Sequence, residues 1–341
     1  MKKYIVLSFI ALSMGLTSCN DWLDKLPDNR MELSKPSDIS DLLVSAYPAR
    51  HPAYLLEMYS DNTDECINPN WSEADRFQRQ AYNWEDITET GDDETPQELW
   101  NAHYLCIASA NAAIDFIDEK GTPAEYSEQL GEALLCRAYA MFQLSTVFCE
   151  AYDAQTASSK PGLPYPLHTE KVVGAKYERG TLQQLYDQID NDLQRGLPLV
   201  GNSYSKPKFH FNPDAANAFA ARFYLYKGDF DKAIECFNKA VQFNKNFAVA
   251  WNGLGTAYNH KKNYSKAASC CKKAVELDPT YANAWNGLGY AYGGLGKVKD
   301  SLNAYQKAVD LAPEVEMYRK NLEHAKDRAS GKIQELFKDK K

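Results

Sequence analysis

Trp251-Asn252-Gly253-Leu254-Gly255-Thr256-Ala257-Tyr258 returns 34 residues later as Trp285-Asn286-Gly287-Leu288-Gly289-Tyr290-Ala291-Tyr292. One period earlier the frame still reads, because Ala220, Ala221, Tyr224, Ala233, Phe237 and Ala240 stand in register with Leu254, Gly255, Tyr258, Ala267, Cys271 and Ala274. Pro279 and Pro313 close two of the copies at the same offset. A unit of this length holds two helices joined by a turn. Neither buries its apolar face alone, so neighbouring copies must stack.

Large apolar, Gly, Tyr, Ala and Pro residues at these offsets resemble the tetratricopeptide repeat. The resemblance implies an all-α fold: a tetratricopeptide-repeat helical scaffold with three repeats over residues 214–315, closed by a capping helix and basic tail over 316–341. The stretch 314–330 fits that cap, with an apolar stripe limited to Val315, Tyr318, Leu322 and Ala325. Trp251 and Trp285 are expected as wedges between helices. The inner helices would present Arg222, Tyr226, Asn252, Thr256, Asn259, His260, Asn286 and Tyr290 to a concave groove. Amides both donate and accept, so asparagines one period apart suit an extended peptide backbone. The basic pair expected of a groove that clamps a peptide carboxylate is missing.

Outside the repeats, composition narrows the choices. The 341 residues are 44% hydrophobic and 25% charged, which is globular and not disordered. A net charge of −8 argues against a nucleic-acid partner, since neutralising phosphates needs a basic face. The 22 Tyr and 6 Trp suit either wedges in a helical stack or a surface that stacks on sugar rings. The eight cysteines are irregularly spaced and include no CxxC pair. Setting Cys19 aside leaves an odd number, which excludes a complete disulfide framework and favours small buried apolar thiols.

The N-terminus bears on the compartment. Lys2 and Lys3 precede an apolar run from Tyr4 to Leu16, too short to span a bilayer and of the length of a signal-peptide core. It ends in Leu16-Thr17-Ser18-Cys19, which resembles a bacterial lipobox, so residues 1–18 are expected as a signal peptide and Cys19 as an acylated first residue. More than one acyl chain at that site would hold the folded part at a membrane without spanning it.

A second family resemblance covers residues 16–240. Trp22-Leu23-Asp24 and its neighbours, Asp41-Leu42-Leu43-Val44-Ser45-Ala46-Tyr47-Pro48, Met58-Tyr59-Ser60-Asp61-Asn62, Trp100-Asn101-Ala102-His103-Tyr104 and Phe211-Asn212-Pro213-Asp214-Ala215-Ala216 follow one another as in the SusD/RagB family of outer-membrane nutrient-binding lipoproteins. The resemblance implies a SusD-like N-terminal region over 19–213 with loop-rich insertions, an oligosaccharide or other nutrient as ligand, and a TonB-dependent outer-membrane transporter as partner. It also implies an anchored position on the outer membrane, facing the cell surface. Read on their own, residues 97–118, 125–152 and 181–197 carry apolar positions at helical spacing. Between the last two, Lys160-Pro161-Gly162-Leu163-Pro164-Tyr165-Pro166 is a surface connection, because prolines remove donors and fix their own backbone angles. In family terms these two helices form one opened repeat. The likeness stops near Asn244, where a member of the family would insert a large loop-rich platform and this chain continues with regular repeats. A divergent member, a fusion and an engineered join all fit that pattern.

No nucleophile elbow, HExxH or Walker loop is present, and the six histidines show no ligand spacing. Neither an enzyme nor a bound metal or cofactor is expected. Asp92-Asp93-Glu94 lacks the alternating oxygens of a calcium loop and reads as solvated. The expected ligand surface is the loop stretch 67–84, where Trp71, Tyr82 and Trp84 offer flat faces for a sugar's CH surface, and Arg76 and Asn83 offer groups for its hydroxyls. The competing assignment makes Trp71 and Trp84 plugs of the scaffold.

Overall fold

The computed structural model describes residues 33–58, 77–83, 85–88, 95–172, 174–204 and 209–330. Among these the regular elements are helices, and an isolated bridge between Pro161 and Thr181 is the one β pairing. In chain order they are α1 (Pro36–Leu43), α2 (Ala53–Met58), α3 (Phe77–Tyr82), α4 (Pro96–Glu119), α5 (Ser127–Phe148), α6 (Leu182–Gly196), α7 (Pro213–Lys227), α8 (Phe230–Phe243), α9 (Ala248–His260), α10 (Tyr264–Leu277), α11 (Ala282–Gly294), α12 (Val298–Leu311) and α13 (Glu316–Ala329). Short 3₁₀ turns at Val44–Ala46 and Ala124–Tyr126 follow α1 and precede α5. None of these helices is long and apolar enough to cross a membrane.

Local chemistry sets the boundaries. Thr95 caps α4 by accepting from the Glu98 amide, with Pro96 at the first helical position, where no donor is required. Thr181 and Gln184 form a reciprocal capping box at α6. Asn212 caps α7, and Gly228 ends it in the left-handed region at φ 79°, a conformation that costs glycine little. The sequence pattern extends a helix to residue 152, but α5 stops at Phe148. Cys149 is extended, and Asp153 accepts from the Gln155 amide in a local turn that competes with helix.

The expected repeats are the helix pairs α7–α8, α9–α10 and α11–α12, each packed on the next, with α13 against α12 as the cap. Ahead of the repeats, α5 packs against α6 across the Pro-rich connection, and α4 packs on α5. One continuous core runs from α1 to Cys270 of α10, where Phe142 meets Phe223 edge-on and Phe219 at a tilt, and a second lies under α10–α12 around Leu288. Burial of a side chain such as Leu254 or Leu288 is worth roughly 1.5–3 kcal/mol.

Two glycines of the frame are sites of close approach. A Cβ on Gly255 would lie 2.4 Å from Cys271 Sγ, and one on Gly289 would lie 2.8 Å from the Tyr305 ring. The tryptophans are half-buried, and each indole N–H donates across the turn before its helix, Trp251 to Lys245 O and Trp285 to Pro279 O, both at 2.9 Å. The expected thiols are small core residues: Cys106, Cys136, Cys236, Cys270 and Cys271 are buried and unbridged, with Cys149 half-buried.

Candidate functional site

The loop-rich half is fixed to the helices by polar groups inside α5. Arg137 and Glu132 point to different sides of a helix that is buried nearly all round, and both are themselves buried. Arg137 binds Asp192 of α6 with two parallel hydrogen bonds, Nε to Oδ2 at 2.7 Å and Nη2 to Oδ1 at 2.8 Å. Its Nη1 donates to Asn111 Oδ1 of α4 at 2.8 Å and to Leu167 O at 3.0 Å. Tyr165 donates to Asp192, Asn111 donates to Pro166 O and His168 O, and Tyr104 donates to Pro164 O. Burial works against the guanidinium's charge, but Asp192 outweighs it and the Arg137 pKa is raised. The prolines of 161–166 give this connection few donors, so its carbonyls are held by side chains instead.

Glu132 performs the same service on the other face. Its Oε1 accepts from Tyr47 OH at 2.6 Å and lies 2.9 Å from His210 Nδ1, while the Phe211 amide donates to Tyr47 OH at 2.6 Å. Tyr204 stacks on His210 at 3.9 Å. Segments that follow α1 and precede α7 are thereby pinned to α5. Neither node was expected from the sequence. The signal was there: two charged residues on different sides of a helix that is otherwise largely apolar.

Of the predicted aromatic surface, Trp71, Arg76 and Trp84 lie outside the described residues, as do Cys19 and Asp92-Asp93-Glu94. Tyr82 is the last residue of α3, its side chain outside the description, and Asn83 follows it exposed. The stretch is not wholly loop as the sequence implied. Phe77 and Ala81 are buried, and with Leu55 and Leu99 Phe77 forms a small separate core that seats α3 on the start of α4. Gln80 then exchanges two hydrogen bonds with Thr88, at 3.0 and 3.1 Å.

In the repeats, Asn252, Asn286 and Tyr290 are on the inner helices, and the structure corrects the reading of Asn259. Its side chain is buried and its amide donates to Gly287 O of the next inner helix at 3.1 Å, so it ties two repeats together instead of facing a ligand. Asn252 is half-buried and donates to Tyr281 OH at 3.4 Å; Asn286 accepts from Asn321 of α13 at 2.9 Å. Tyr290 is about half exposed, its ring 6.2 Å from that of Tyr264, and Tyr226, on α7 two repeats earlier, is as exposed. Among the described residues no group of three His, Cys, Asp or Glu side chains is placed to hold a metal ion.

A family model described as starch-binding, associating with the outer membrane, SusD-like, matches residues 21–225, well over half of the chain. The chain belongs to the SusD-like family. Tetratricopeptide-repeat models match residues 221–261, 248–281 and 270–303, so the repeats of this SusD-like chain take over where the family match ends. No curated protein matches it. Among solved structures it is similar to the first tetratricopeptide domain of human RPAP3, at 23% identity over 36% of this chain and 95% of that one, with a TM-score of 0.34. The Arabidopsis OM64 domain is 17% identical over 33% and 93% of the two chains at a TM-score of 0.32. The Sgt2 domain from Aspergillus fumigatus is 20% identical over 36% and 82% at 0.34. The SusD-like description carries starch binding and association with the outer membrane.

Proposed function

We propose that this SusD-like chain is a lipid-anchored surface protein that captures an oligosaccharide and passes it to a TonB-dependent transporter in the outer membrane, without catalysing a reaction. The observation that carries the proposal is the family match over 21–225. Cys19 is the acylation site in this reading, and Trp71, Arg76, Tyr82, Asn83 and Trp84 contact the sugar. The scaffold supports it physically. Helix α3, from which Tyr82 and Asn83 emerge, rests on a packed core, and a ligand surface held on rigid elements loses less entropy on binding. Titration calorimetry of the chain lacking residues 1–19 against a panel of oligosaccharides tests it. Heat that disappears with Trp71→Ala supports the assignment, whereas silence across the panel removes the glycan.

A second reading places a protein segment in the groove of the repeats. It is favoured by the exposure of Tyr226 and Tyr290 on the inner helices, with Asn252 and Asn286 between them. A partner whose capture is lost with Tyr290→Ala and Asn286→Ala, and kept with Trp71→Ala, would establish it.

A further inference from the structure

The outer face of the last two repeats holds an open groove of about 590 Å3. Helices α10 and α12 both pack on α11 and leave the groove between them, so its floor is the outward side of α11: Trp285, Leu288 and Tyr292. Leu288 is buried, while the two rings are half-exposed and bring aromatic surface into the groove. Its rim is Lys272 and Glu276 from α10 with Asp300, Asn303 and Lys307 from α12, all exposed. Among the described residues Lys272 and Glu276 form a loose pair at 3.9 Å, and no hydrogen bond or ion pair engages the side chains of Asp300, Asn303 or Lys307.

The same positions one period earlier show what is particular here. Lys266, Ser269 and Cys270 stand where the groove has Asp300, Asn303 and Ala304, and Lys266 lies over the Tyr258 ring at 5.3 Å. In the later copy that lysine is an aspartate, and it is Lys297, from the turn before α12, that lies over the Tyr292 ring at 5.6 Å; the cysteine has shrunk to alanine, and an amide has been added. Asn238 and Gln242 have likewise become Lys272 and Glu276. The frame itself demands none of these changes, since its packing positions Trp, Leu and Tyr are identical in both copies.

We propose that this groove is a binding site for a neutral oligosaccharide, separate from the aromatic stretch 67–84. Two lysines and two carboxylates leave its charge balanced, so neither an anion nor a cation gains from entering it. The floor offers aromatic surface for the CH face of a sugar, chiefly from Trp285, since Lys297 lies over the Tyr292 ring. The rim offers carboxylate acceptors, ammonium donors and an amide that does both, the set that a ring of hydroxyls needs. The volume falls within the range of small-ligand clefts.

The proposal rests on the reading of the chain as a glycan binder, and the test separates the two. The full chain, labelled with 5-fluorotryptophan, gives one fluorine signal for each of its 6 tryptophans, assigned by single Trp→Phe variants. Maltoheptaose, chosen because the family is described as starch-binding, is the probe. The expected result is a saturable shift of the Trp285 signal, weakened about tenfold or more in Asp300→Ala and Asn303→Ala, each removing hydrogen bonds from the rim without touching the core. A shift of other tryptophan signals with Trp285 unmoved overturns the groove and leaves glycan binding standing. A Trp285 shift that is the same in both rim variants also overturns it. No shift of any signal, with no heat in calorimetry, removes maltoheptaose from both sites at once.

Discussion

Removing Arg137 should unfasten four parts of the molecule together. Its guanidinium joins α4, α5, α6 and the Pro-rich connection, and its side chain and that of Asp192 are 2% and 0% exposed. Arg137→Ala leaves the Asp192 carboxylate buried without its cation, and breaking a buried pair in this way costs about 3–5 kcal/mol. Replacing both partners by apolar residues of similar size, Arg137→Met with Asp192→Leu, removes the stranded charge and should recover much of that loss, apart from the bonds made by Tyr165, Asn111 and Leu167 O. Urea unfolding followed by circular dichroism measures Arg137→Ala and the four species of the Arg137→Met, Asp192→Leu cycle, and hydrogen exchange of residues 161–168 reports whether the connection has come loose. A cost below about 1 kcal/mol for the single variant, or a double variant no more stable than the sum of the singles, would refute the view that this pair is a desolvated clamp.

Three further outcomes follow from particular contacts. Burial pushes the Asp190 pKa up, but hydrogen bonds from Lys227, Gln194 and Tyr224 outweigh it and lower the value to about 2. Because the folded value is depressed below 3.8, the stability from Asp190 is present above pH 3.8 and lost as pH falls toward 2, so thermal melts of Asp190→Asn should show a shallower acid limb than wild type over that window. Gly255→Ala gains about 1 kcal/mol of helix propensity but forces its Cβ into Cys271 Sγ, an overpacking that costs about 1–3 kcal/mol. A net loss should appear in urea melts and shrink when Cys271→Ala is added. Burial raises the thiols of Cys106, Cys236 and Cys270 to about 11 and Cys271 to about 12. Iodoacetamide at pH 8 should therefore label these four slowly in the folded chain and quickly in urea, as read by peptide mass spectrometry.

The helical pairs were legible because they are written in local terms. Apolar spacing, the glycines at 255 and 289 and the prolines at 161–166 each act within a few residues of themselves. A 34-residue period makes the stacking partner of every face its own neighbour. The cluster that seats α3 was not legible, because Phe77 finds Leu55 and Leu99 across gaps of about twenty residues, and the same letters describe a loop as well as an anchor. Asn259 looked like Asn252 and Asn286 in sequence. Only the rotation of α9 against α11 turned its amide into the stack.

The sequence by itself determined the all-α class, the repeat frame and the SusD-like front half, since each depends on residue type at fixed spacing. What the tertiary structure decided is which polar groups meet. Arg137 and Asp192 are 55 residues apart, Tyr47 and Phe211 are 164 apart, and both pairs end within hydrogen-bond distance. It also decided that Trp285, Asp300 and Asn303 share one groove. Spacing along a helix fixes the face on which a side chain lies, but the element opposite that face is set by how the helices stack, and no local pattern carries it.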